Sequence, residues 1–446
     1  MEKDMSVFVD RERELKMIAD SFKILQDKNR LLRNPILEFY GVSGIGKTLL
    51  LKEIKILCSH NKFPSIWIDL VRKRDVIQDE VVNQVRGYLP AYDAQFEPSA
   101  VNATKALLKQ GPVVMLFDAV DEVNSTQLLE IERLLRDVIG DENLLVVLAS
   151  KTMTEFKNER SIARKLKWFI LDALDRTSCE EYLDHLEQGR GPLEAHIDPD
   201  VRELIFVWTR GYPLAMNVMA NAIYHLHDPR TEPGKQHILT LLREHVINQE
   251  ILKGLTGVWK ETCFTILQFL SVPRRSNLII IEELIEKFAP DLKRKSSLAY
   301  FSLPNELHEA THILSWSLEK SGFAVEAPVR YLFLLLYRSA QPQEYFAMQD
   351  FLAKLNYQLA YEATGQDRAR YMREHLYHIA SDSLAARQGQ RITEAMETIL
   401  KEPLAVLQPF FEEFAQDLEL KETLGSHLAD VEVVIEQRTL QMKEDA

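Results

Sequence analysis

The chain has 446 residues, 46% hydrophobic and 27% charged, a globular composition with length for two or three domains. A formal net charge of −13 sets the overall field against nucleic acid, although a local basic patch would still bind it. Three widely spaced cysteines, Cys58, Cys179 and Cys263, offer neither a disulfide framework nor zinc spacing and read as buried apolar residues in a reducing compartment.

The N-terminus, MEKDMSVFVDREREL, is charged and lacks the apolar core of a signal peptide. The longest apolar runs, such as Tyr331 to Tyr337, are too short to span a bilayer, so a cytoplasmic location without a membrane partner is expected. FVDRERELKMIADSF predicts an extended start and then an amphipathic helix with Leu15, Ile18 and Phe22 on one face. Ile36 to Tyr40 reads as a buried strand, and GVSGIGKT, Gly41 to Thr48, follows it into an apolar-periodic helix. Further strands are expected at Phe63–Leu70, within Gly111–Val123, at Asn143–Lys151 and at Lys167–Leu171, with helices between, for example Leu128 to Ile139. This alternation predicts a parallel five-stranded α/β sheet.

After Leu171 the pattern turns helical. Helices are expected over Thr177–Leu186 and Pro199–Thr209, with a polar loop, GRGPLEAHIDPD, between them and a break at GYP. The cluster HDPRTEPGKQ reads as a turn and boundary. Helices at Val258–Leu270, Ile280–Phe288 and Pro304–Lys320, a cap at Gly322 and a strand in FAVEA suit a winged helix. From about residue 342 onward the chain is helical. The expected domains are a phosphate-loop nucleotide-binding domain at 1–172, a helical lid at 173–250, a winged helix at 251–340 and a C-terminal helical domain at 341–446.

The chemistry centres on GVSGIGKT. It matches G-x-x-x-x-G-K-[ST] between a strand and a helix, the context this pattern requires. Gly41, Gly44 and Gly46 let the backbone turn its N–H groups inward, so that Gly41, Val42, Ser43, Gly44, Ile45 and Gly46, with Leu49 just beyond, would wrap phosphates. Lys47 would reach the β- and γ-phosphates, and Thr48 would place its hydroxyl on Mg²⁺. Asp118, ending an apolar strand, would be the second metal contact. Asp121 or Glu122 would orient or deprotonate the attacking water, and the residues do not choose between them. Lys151 ends the fourth strand within reach of a γ-phosphate. His375 and His378, one turn apart, read as a satisfied helix face. The helix at 304–320 carries more acid than base on its exposed face, and the runs Arg274–Arg275 and Lys293–Arg294–Lys295 read as solvated loops, so DNA is not expected as a partner.

Five stretches together resemble the STAND class of signal-transduction ATPases, relatives of NACHT and NB-ARC switch proteins. These are FVDRERE (Phe8 to Glu14), GVSGIGKT, MLFDAVDEV, LASK (Leu148 to Lys151) and GYPLA (Gly211 to Ala215). The resemblance spans about residues 8 to 340. It implies that Val9 and Arg11 contact the nucleotide near adenine, that Pro213 lies on the base, and that Lys151 stands where the class has a sensor arginine. Asp10 replaces a glycine of the opening motif, and Arg330 in PVR occupies about the place of the missing M-H-D motif, from which it would contact phosphate. The implied function is an ATP/ADP switch with Mg²⁺ and slow hydrolysis, whose nucleotide state controls conformation and self-association through the helical C-terminal region. An origin-recognition-like DNA-binding ATPase and a nucleotide-holding scaffold without turnover are the rival readings.

Overall fold

Alternation of apolar runs with amphipathic segments sets the architecture of the first part of the chain. The structure, a computed structural model, describes residues 8–27, 31–89, 99–140, 143–158, 160–188, 196–318, 321–382 and 387–444. The chain divides into two units, Met1–Lys253 and Gly254–Ala446.

The first unit opens with α1 (Glu12–Gln26), which buries Ile18, Phe22 and Leu25. Five parallel strands follow: β1 (Ile36–Tyr40), β2 (Ser65–Asp69), β3 (Val113–Asp118), β4 (Leu144–Ser150) and β5 (Leu166–Ile170). Their order across the sheet is β2-β3-β4-β1-β5. Every residue of β3 and β4 is buried, as expected of strands covered on both faces. The helices that cover them are α2 (Lys47–His60), α3 (Ile77–Tyr88), α4 (Ala100–Leu108) and α5 (Ser125–Val138). Asn124 and Gln127 form a capping box at the start of α5.

Because β1, β3 and β4 lie side by side and parallel, the loops after all three open at one sheet edge. The phosphate loop, Asp118 and Lys151 meet there. Glu38, in the middle of β1, is fully buried, and burial raises its carboxyl. It accepts from Ser150 Oγ (2.7 Å), Thr154 N (3.0 Å) and Thr154 Oγ1 (2.5 Å), which fixes the loop carrying Lys151.

The helical part of this unit comprises α6 (Arg176–Gln188), α7 (Pro199–Thr209), α8 (Pro213–Tyr224) and α9 (Glu232–Leu241). A π-helical stretch, Leu242–Ile251, continues from α9. Of the polar cluster at 227–236, residues 227–231 link α8 to α9 inside the unit and residues 232–236 already belong to α9, which Thr231 caps. Residues 189–195 of the polar loop GRGPLEAHIDPD lie outside the described residues.

The second unit starts with α10 (Gly257–Leu270), α11 (Leu278–Phe288) and α12 (Leu303–Thr311). An antiparallel hairpin follows, β6 (Leu314–Ser317) with β7 (Gly322–Val325), and Ser276 bridges to Phe323. Three helices and then a hairpin bridged by Ser276 is the order of elements expected for a winged helix. The third helix is shorter than expected: His312 adopts a left-handed φ of 59° and ends it, and alternation at Leu314 and Trp316 makes the next stretch a strand. Gly322 opens β7 and does not cap a helix, and Lys320 lies outside the described residues. Among the described residues seven α-helices follow: α13 (Ala327–Ala340), α14 (Pro342–Glu362), α15 (Gly365–Ser381), α16 (Gln388–Ile399), α17 (Leu404–Gln416), α18 (Leu418–Leu424) and α19 (Leu428–Glu444).

Arg274 and Arg275 are buried, not solvated. Arg274 pairs with Glu374 (2.8 Å) and Asp417 (2.7 Å) in a network that ties the stretch after α10 to α15 and the α17–α18 junction. His375 Nδ1 pairs with Ala353 O (2.7 Å) and His378 Nδ1 with Gln349 Oε1 (2.6 Å), while the buried His378 Nε2 has no hydrogen-bond partner among the described residues. The three cysteines are buried and free. Among the described residues, no helix is long and apolar enough to cross a membrane.

Candidate functional site: the phosphate loop and its cavity

The loop between β1 and α2 is shaped from several directions. Gly44 has a φ of 76°, and a Cβ there would sit 2.6 Å from the Leu214 side chain, so glycine is required on both counts. Gly211 is as constrained: its φ is 75°, and a Cβ would fall 1.8 Å from Leu174 O. That close approach brings the start of α8 against the loop after β5. Tyr212 is fully buried, and its hydroxyl donates to Ser43 O. Arg11, 6% exposed, donates to Asp10 O (2.8 Å), Ile45 O (3.2 Å) and Asp172 O (2.9 Å). It thereby staples the opening segment to the loop and to the end of β5. Asp10 has a φ of 55°, a conformation that favours glycine and that aspartate tolerates better than most residues. Aspartate where the resembled motif has glycine therefore keeps the backbone turn.

On one side of the loop lies a cavity of about 300 Å³. Phe8 and Val9 line it from the opening segment, Gly44, Ile45, Gly46 and Leu49 from the loop and α2, and Pro213 from α8. Half apolar and shallowly enclosed, it has the dimensions of a site for a heteroaromatic base. Of the candidate residues, the structure brings Val9, Arg11, Gly44, Ile45, Gly46, Leu49 and Pro213 to this one wall. Sequence reasoning missed Lys52, Tyr182, Leu214 and Asn217. Lys52 and Asn217 stand one helical turn beyond Thr48 and Pro213, a spacing that points to a shared face.

The other side of the loop carries the charges. Lys47 is bent over the loop, and its ammonium donates to Gly41 O (2.6 Å) and Val42 O (2.8 Å). Burial lowers its pKa to about 8. Thr48 Oγ1 donates to Asp118 Oδ1 at 3.2 Å. Two oxygens about 3 Å apart match one edge of a Mg²⁺ octahedron with ~2.1 Å bonds, so this pair fits the ion. Burial raises the Asp118 carboxyl, a cost that a divalent cation would offset. Among the described residues no group of three or more His, Cys, Asp or Glu is arranged to hold a metal. Phosphate oxygens and water would have to complete the shell.

Beyond β3, Ala119 takes a left-handed φ of 60° and a short 3₁₀ turn places Asp121 and Glu122 against β4. Asp121 Oδ1 accepts from Lys151 N (2.7 Å), and the Lys151 ammonium lies 3.1 Å from Asp121 Oδ2 and 2.9 Å from Glu122 Oε1. Burial disfavours the lysine's charge, but these two acids outweigh it and raise its pKa.

Arg330 belongs to the second unit. Its guanidinium, 1% exposed in the second unit, donates to Ser271 O (2.8 Å), Tyr377 Oη (3.0 Å) and Glu419 Oε1 (2.7 Å). The expectation of a phosphate contact is corrected: the buried pairing consumes the donors it would have offered.

The fold of the first unit is that of a P-loop NTPase. No family model and no curated protein matches the chain. Among solved structures, the Orc1 protein of Aeropyrum pernix in complex with DNA aligns at 16% identity, over 74% of this chain and 93% of that one, with a TM-score of 0.39. Cdc6p of Pyrobaculum aerophilum aligns at 15%, over 76% and 97%, with a TM-score of 0.38. AMPPCP-bound DnaA of Aquifex aeolicus aligns at 15%, over 68% and 90%, with a TM-score of 0.35. These are similarities of general plan. They also correct the expectation against DNA as a partner, because DNA complexes stand among the matches.

Proposed function

We propose that the first unit binds ATP or ADP with Mg²⁺ and hydrolyses ATP slowly, and that nucleotide state sets the conformation of the chain. One observation supports this reading: a base-sized cavity lined by Gly44 to Gly46 and a Thr48–Asp118 pair with the Lys47 ammonium share a single loop. The base would sit between Val9 and Pro213, and Lys47 would neutralise phosphate. Mg²⁺ would supply charge stabilisation at the phosphates. Asp121 or Glu122 would position water, but both are held by Lys151, so freeing one of them is a precondition for turnover. That requirement favours a slow, switch-like ATPase of the STAND kind, with nucleotide-dependent oligomerisation as its output. Phosphate release from the parent, Asp121→Asn and Glu122→Gln tests the reading. Turnover in the parent that one variant abolishes supports it, and no turnover in the parent favours a scaffold.

A second reading stands level with the first, a DNA-binding ATPase of the origin-recognition type. The winged-helix arrangement of α10–α12 and the β6–β7 hairpin favours it. Salt-dependent binding of duplex DNA at micromolar or tighter affinity, with or without nucleotide, decides between the two.

A further inference from the structure

The phosphate loop has one more acid beside it, contributed by the far end of the first unit. Ser43 Oγ donates to Glu250 Oε2 at 2.8 Å, across 207 residues of sequence. Glu250 stands on the π-helical stretch Leu242–Ile251, which is anchored by buried Leu242, Val246, Ile247 and Ile251. A π-helix is a costly conformation that tends to persist where it positions a side chain. Ser43 is thus gripped twice by the helical part of its unit, at its carbonyl by Tyr212 and at its hydroxyl by Glu250.

The position of this carboxylate relative to a nucleotide follows from the loop's two sides. The base-sized cavity is lined by the later loop residues, Gly44 to Gly46, and by Leu49. The Lys47 ammonium sits by Gly41 and Val42, at the opposite end of the loop, next to Ser43. Glu250 acts electrostatically on Lys47, as do Asp121, Lys151 and Asp118. It therefore belongs to the terminal-phosphate side. The fixed charges there are unbalanced: the cations Lys47 and Lys151 face the carboxylates Asp118, Asp121, Glu122 and Glu250. Lys151 is already committed to Asp121 and Glu122. A Mg²⁺ ion would bring this side to neutrality, and a γ-phosphate would make it negative again.

We propose that Glu250 is a specificity-determining residue of the nucleotide site: its carboxylate, held on Ser43, opposes the terminal phosphate of a triphosphate and biases the site toward the diphosphate. The inference rests on the nucleotide-binding reading above. A triphosphate binds only with Glu250 displaced from Ser43 or at the cost of like-charge repulsion. The diphosphate escapes most of that repulsion.

Calorimetric titration of ADP and of a non-hydrolysable ATP analogue, each with Mg²⁺, into the full chain tests this. The parent should bind ADP about tenfold or more tighter than the analogue. Glu250→Gln should tighten the analogue about tenfold and change ADP less than about threefold, while Glu250→Asp, which keeps the charge, should retain the parent's preference. A Glu250→Gln variant that shifts both nucleotides alike, or neither, overturns the proposal. A measurement on the parent alone bears on the same point: its ADP preference should narrow as salt rises from about 50 to 500 mM, and a salt-independent preference also overturns it. If neither nucleotide binds the parent, the nucleotide reading itself fails. If both bind equally, only the role of Glu250 does.

Discussion

Asp121 grips Lys151 twice, one carboxylate oxygen accepting from the lysine's backbone N–H at 2.7 Å and the other lying 3.1 Å from its ammonium. The Asp121 side chain is 5% exposed, so this is a pair that cannot be halved cheaply. Lys151→Ala should lower the stability of the first unit by about 1–3 kcal/mol, read by chemical denaturation without nucleotide. Lys151→Met frees Asp121 and Glu122 and should also uncouple binding from turnover, with ADP affinity within about threefold and phosphate release raised by about tenfold. Unchanged turnover would exclude the lysine from the reacting end of the site.

The pairing of Thr48 with Asp118 predicts where metal dependence resides. In the parent, Mg²⁺ should strengthen triphosphate binding. Thr48→Ala and Asp118→Asn should each remove most of that enhancement, about tenfold, and change metal-free binding little. Titrations with and without EDTA provide the comparison.

Arg11 should prove more structural than its charge suggests. Its guanidinium joins three backbone carbonyls from three segments, a geometry an ammonium cannot reproduce. Arg11→Lys should cost about 1–3 kcal/mol and weaken nucleotide binding about tenfold, because the loop and the cavity wall loosen together. A stable variant with parental affinity would show that the staple is dispensable.

The second unit should be acid-labile. Burial alone would raise the Glu374 carboxyl, but Arg274, with Arg275 and Arg373, outweighs it and pulls it down to about 2. Burial pushes His378 down to about 3. In both cases the unfolded chain takes up the proton first as pH falls. His378 contributes stability above pH 6.5 that drains away between 6.5 and about 3, and Glu374 contributes stability above about 4.5 that drains away toward 2. The slope is at most about 1.4 kcal/mol per pH unit for each group. Scanning calorimetry should show the second unit's transition falling through this range, and His378→Gln should flatten it between pH 6.5 and 4.5.

The sheet was legible because its strands are short apolar runs bounded by turns, and the phosphate loop because its spacing is local. What the sequence did not disclose depends on contacts made over long distances. Glu250 lies 207 residues from its partner and looks like any helix-surface acid. Tyr212 reads as part of a break at GYP, and only the fold shows its hydroxyl reaching Ser43 O. Arg274 and Arg275 resemble a solvated basic pair until Glu374 and Asp417 arrive from 100 and 143 residues away. The third helix of the second unit was overextended because its stop is an unusual one, a left-handed His312 where glycine is customary.

The staple formed by Arg11 has a consequence for biosynthesis. It joins Asp10, Ile45 and Asp172, and the base-sized cavity is closed only by residues as late as Asn217. A growing chain presents its phosphate-loop motif early, yet the loop is moulded only once more than two hundred residues have been made. Nucleotide affinity should therefore be acquired late on the ribosome, in one step, with nucleotide then acting as a clamp on a newly completed unit.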